Sequence, residues 1–125
     1  MKKLSKEQIL LLHQILIKHT GGADGIRDEG LLESAINTPF ASFDGVTLCD
    51  SVQAKAAKLC FGLIKNHPFV DGNKRIGVLA MLSFLESNGI RLECSDEELV
   101  TLGLGLADGS VSEKEALDFI AEHSD

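Results

Sequence analysis

One stretch of this chain concentrates side chains that could do chemistry: His67, Pro68, Phe69, Val70, Asp71, Gly72, Asn73, Lys74 and Arg75. An imidazole titrates near neutral pH, so His67 can take a proton from an attacking hydroxyl. Asp71 offers a hard oxygen suited to Mg²⁺, an ion held by one or two carboxylates together with substrate phosphates. Gly72 lets the backbone come close to a ligand. A helix beginning at Asn73 would present unpaired N–H groups and about half a positive charge in its first turn, which makes it an anion site. Lys74 and Arg75 oppose the dipole at that end of a helix, a placement that a solvated first turn does not favour and an anionic ligand does. Base, metal ligand and phosphate cradle are the parts needed to move a group from a nucleoside triphosphate to a hydroxyl.

The flanking sequence reads as helices. Ser5 with Gln8 is a capping box that opens an apolar segment from Ile9 to Ile17, closed by Gly21–Gly22. Asp28 can cap a short helix carrying Leu31, Leu32, Ala35 and Ile36, ended before Pro39. Phe40 to Leu48 is loop or a short hairpin, with Asp44–Gly45 as its turn. Asp50 or Ser51 starts a helix with Val52, Ala56, Leu59 and Leu63 on one face. It must stop near Asn66, because the residue before Pro68 is pushed out of the α region. Residues 73–88 form the next helix, closed by Asn88–Gly89 and apolar nearly all round, which predicts burial. Ser95 with Glu98, and Ser112 with Glu115, open two more helices. Strand signals are almost absent. The expectation is one all-α domain over residues 1–125, wrapped around the 73–88 helix.

Composition narrows the function. The 125 residues are enough for a single core, and 44% apolar with 25% charged residues is an ordinary globular balance. Twelve Lys and Arg against 19 Asp and Glu give a net charge of −7, which argues against a general nucleic-acid or anionic-membrane binder. Cys49, Cys60 and Cys94 are odd in number and show no C-x-x-C pair, so free thiols in a reducing cytosol are expected and a zinc site is not. No secretory leader and no membrane-spanning run is read, which leaves the cytoplasm as the expected location. His13, His19 and His123 lack the i, i+4 spacing of a helical metal pair and read as core or surface. Phe69 reads as a core anchor for its loop. Lys65 and Asn66 flank the loop as either ligand contacts or a solvated helix end.

The loop resembles the signature of the Fic/Doc superfamily, H-P-F-x-[D/E]-G-N-[G/K]-R. Eight specified letters would recur by chance on the order of 10⁻⁸ in a chain this long. Lys74, where typical Fic proteins have glycine, is similar to the Doc (death-on-curing) branch, as is Val78, where many Fic enzymes carry a second arginine. The next position, polar in some Doc proteins, is apolar here as Leu79. The resemblance implies His67 as general base, Asp71 as Mg²⁺ ligand, and Gly72, Asn73, Lys74 and Arg75 as phosphate contacts. It also implies a target-positioning flap within residues 40–48. It further implies transfer of the γ-phosphate of ATP to a threonine of elongation factor Tu. No inhibitory [S/T]-x-x-x-E-[G/N] helix is found: Thr20 to Gly25 comes closest but carries Asp24. Restraint is then expected from a Phd-type antitoxin whose tail folds into a groove. Two other readings stand beside this one: AMP transfer of the Fic type, carried by the shared H-P-F-x-D-G-N core, and a degenerate non-catalytic binding module.

Overall fold

The computed structural model describes residues 1–124. Its helices start where short-range chemistry tells them to. Ser5, Ser95 and Ser112 each accept the N–H three residues on, and Gln8, Glu98 and Glu115 return a side-chain oxygen to the cap N–H. These boxes open α1 (Lys6–Thr20), α5 (Asp96–Asp108) and α6 (Glu113–His123). Asp28 caps α2 (Glu29–Asn37), which runs into a 3₁₀ turn at Thr38–Phe40, and Ser51 caps α3 (Val52–Asn66). The remaining helix, α4 (Asn73–Ser87), begins on Gly72.

The architecture is all-α, as expected. Among the described residues the one sheet is a two-stranded hairpin: β1 (Ser42–Phe43) pairs antiparallel with β2 (Val46–Thr47), Ser42 opposite Thr47. Asp44 and Gly45 form its turn at φ 53° and 80°, the left-handed pair a tight hairpin requires.

Helix α3 packs against α4, and the two share the centre. α2 and α6 cover α3, while α1 and α5 cover α4. The central contact is close because residue 77 has no side chain: a Cβ there would lie 2.7 Å from Ile64 Cγ1 and 3.1 Å from the Cys60 carbonyl. Ile76, Ala80, Met81, Phe84 and Leu85 of α4 are buried among Leu59 and Leu63 of α3, Leu32, Leu106 and Ile120. The opposite stripe of α4 is less enclosed than its apolar run predicts. Val78, Leu79 and Leu82 stay partly exposed, on the floor of a groove walled by Leu16, Leu99, Val100 and Leu104. No described helix is long and apolar enough to cross a membrane.

Candidate active site

The loop joining α3 to α4 carries the signature. Pro68 prevents α3 from continuing, and His67 ends the helix in the left-handed region at φ 52°, ψ 52°. A non-glycine residue there is strained and must be held by its surroundings. Arg27 holds it: its Nε donates to the His67 carbonyl at 2.6 Å and its terminal nitrogen to the Asn66 carbonyl at 2.9 Å. The main chain around Arg27 runs alongside the loop. The N–H groups of Arg27 and Asp28 donate to the Pro68 carbonyl at 2.7 and 3.0 Å, and Val70 N–H donates to the Gly25 carbonyl at 3.0 Å. The His67 imidazole is left exposed at the cleft.

Inside, the loop hangs on three side chains. Phe69 is 1% exposed, the core anchor its type suggested. Asn73 is buried and grips Phe69 twice, its Oδ1 accepting the Phe69 N–H at 2.9 Å and its Nδ2 donating to the Phe69 carbonyl at 3.0 Å. With the carboxamide so engaged, what Asn73 can offer a phosphate is its backbone N–H. His13 of α1 stacks on the Phe69 ring at 3.8 Å between centroids and 9° between planes.

The Asp71 carboxylate is set by backbone donors. Oδ1 accepts Gly72 N–H at 2.8 Å, and Oδ2 accepts Ala23 N–H at 3.3 Å. These two bonds, the first above all, hold the carboxyl below its ordinary range, helped by the charge of Arg75. Gly22 makes room for it, since a Cβ at residue 22 would lie 2.5 Å from Asp71 Oδ2. The Arg75 guanidinium bonds the Thr20 hydroxyl and lies 3.9 Å from Asp71 Oδ1.

His67, Asp71, Gly72, Asn73, Lys74 and Arg75 all line one open cleft of about 550 Å³, together with Ile64, Lys65, Val70 and Ala107. Its floor is the start of α4. Gly72 at φ 80° brings no capping side chain, whereas Ser or Asp side chains cap the other five α-helices. The first-turn N–H groups of α4 are therefore left for a ligand, and three cations (Lys65, Lys74 and Arg75) border it. Asp71 supplies one carboxylate, the donor set Mg²⁺ uses when phosphates bring the remaining oxygens. Cradle and donor set thus fit a nucleotide with its cation. Lys74 and Arg75 border the apolar groove as well, so cleft and groove meet at these two residues.

The sequence reading left out the residues that brace the loop from α1 and the α1–α2 connection: His13, Gly22, Ala23 and Arg27. A signal for His13 was present. It sits at i, i+4 from both Ile9 and Ile17 on the buried stripe of α1, and a polar group on such a stripe requires a partner.

Comparison with known proteins agrees with this site. The Fic/DOC family model matches residues 3–85. Toxin Doc of Mycolicibacterium smegmatis is 39% identical over 89 residues, 71% of this chain and 66% of that protein. Protein kinase doc of Escherichia phage P1 is 31% identical over 118 residues, 94% of this chain and 92% of that protein. A family match that spans the whole loop, with both relatives from one branch, leads to one conclusion: this chain belongs to the Fic/DOC family, in its Doc branch.

Proposed function

We propose that this protein is a Doc-type toxin that transfers the γ-phosphate of ATP to a protein hydroxyl. The carrying observation is the convergence of His67, the ionised Asp71, Lys74, Arg75 and the uncapped start of α4 on one cleft. The first-turn N–H groups of α4, with Lys74 and Arg75 beside them, would hold the phosphates, and Asp71 would hold Mg²⁺. That ion, when bound, neutralises charge on the phosphates. His67 takes the proton of the target hydroxyl as its oxygen bonds the γ-phosphorus; the bond from that phosphorus to the bridging oxygen breaks, and ADP leaves. The names of the two relatives, a toxin and a protein kinase, support this reading, as does Lys74 in place of the usual Fic glycine. The expected target is a threonine of elongation factor Tu. The hairpin, with Phe43 and Val46 turned to solvent at 75% and 65% exposure, is the surface for the target chain.

The partner that restrains it is a Phd-type antitoxin. Its amphipathic helix would lie on Val78, Leu79, Leu82, Val100 and Leu104. Acidic residues at its edge would meet Lys74 and Arg75, closing the phosphate end of the cleft. The test is label transfer in a bacterial lysate with Mg²⁺ and ATP labelled at the γ- or the α-phosphate, with His67→Ala as control. Transfer of γ-label alone, lost in the variant, is expected. Transfer of α-label would replace this reading with AMP transfer, and nucleotide binding without any transfer would leave a binding module.

A further inference from the structure

Three polar or charged side chains are buried among the described residues: His13, Lys55 and Asn73. Two of them bond the main chain of the signature loop. Asn73 belongs to the signature; His13 does not, and comes from the middle of α1. Its ring is 1% exposed and lies flat on Phe69. Its Nε2 is 2.8 Å from the carbonyl oxygen of Asp71, 58 residues along the chain. A carbonyl can only accept, so Nε2 carries the hydrogen and donates it. The same nitrogen would lie 3.5 Å from a Cβ at Gly72, so the ring rests directly against the cap of α4. Nδ1 faces the Asp24 carboxylate at 3.8 Å.

We infer that His13 is a positioning residue for the metal ligand Asp71. A carboxylate sits two bonds beyond its Cα, so its place follows from the peptide that carries it. The Asp71 side chain is held by Gly72 and Ala23, its main chain by His13, and the loop below it by the Phe69 stack. Releasing the carbonyl lets the 71–72 peptide turn, and the carboxylate turns with it. The inference rests on the reading of Asp71 as the Mg²⁺ ligand, and it adds a residue outside the signature on which that ligand depends.

The measurement is calorimetric binding of AMPPNP, with Mg²⁺ and again in EDTA, to the intact protein and to two variants. His13→Phe keeps a stacked ring and removes the donor. His13→Gln loses the ring, but its Nε2 falls at the same number of bonds from Cα and keeps the donor. The wild type should bind AMPPNP more tightly with Mg²⁺ than in EDTA. In His13→Phe that gain should shrink about tenfold, the scale of one lost hydrogen bond to a buried carbonyl, with the EDTA affinity unchanged. His13→Gln should restore most of the gain. A residue that only fills the core would weaken both affinities alike, or lower the melting temperature alone, and that result overturns the inference. No Mg²⁺ gain in the wild type also overturns it, together with the metal role of Asp71. A wild type with the gain and the variant pattern but no γ-label transfer supports the role of His13 while the kinase reading fails.

Discussion

Asn73→Ala separates two roles that one residue could play. In the structure its carboxamide bonds the N–H and the carbonyl of Phe69 at 2.9 and 3.0 Å, in a residue only 4% exposed. Alanine removes both partners and leaves two buried main-chain groups unpaired, at about 1–3 kcal/mol each. Water entering the vacated space recovers part, so the net cost is about 3 kcal/mol. For a domain of this size that lowers the melting temperature by about 12 °C. The assay is thermal unfolding followed by circular dichroism, without nucleotide. The loop should also loosen, so Val70 and Arg27, whose N–H groups bond across it, should exchange their amide hydrogens faster. An apo-protein that melts within about 3 °C of the wild type would refute the reasoning. Together with weakened nucleotide binding, that result would make the carboxamide a phosphate ligand and not a staple of the loop.

Two further predictions concern the frame. Gly77→Ala puts a methyl 2.7 Å from Ile64 Cγ1 and 3.1 Å from the Cys60 carbonyl, and a helix backbone cannot yield cheaply. Overpacking of this kind costs about 1–3 kcal/mol, so a urea midpoint equal to wild type would contradict the close α3–α4 contact. His123 has both ring nitrogens on acceptors, the Phe119 carbonyl at 2.7 Å and a Glu98 oxygen at 3.0 Å, which favours the charged ring and raises its pKa. A raised histidine stabilises fully below its unfolded value of about 6.5 and loses that contribution as pH rises through the folded value. His123→Gln should therefore lose more melting temperature at pH 6 than at pH 9; an equal loss at both would place the effect in packing against Phe119.

What the sequence determined by itself is what depends on neighbours along the chain. The capping boxes at Ser5, Ser95 and Ser112, the Asp28 cap, the stop before Pro68 and the Asp44–Gly45 turn all act within a few residues, and all stand where they were read. The signature was legible for the same reason. It is contiguous, so a single loop feeding a single helix brings His67, Asp71, Lys74 and Arg75 to one cleft. Tertiary structure decided the rest, because packing brings together residues that no local rule connects. Nothing near Arg27 says that its guanidinium reaches the carbonyls of Asn66 and His67, some 40 residues on. The residue type of Asn73 does not say that its carboxamide is engaged by Phe69. The apolar run of α4 does not say which stripe α3 buries and which one faces an open groove beside the phosphate cations. That choice belongs to the register between helices, in which Gly77 lies against Cys60 and Ile64 with no room for a side chain.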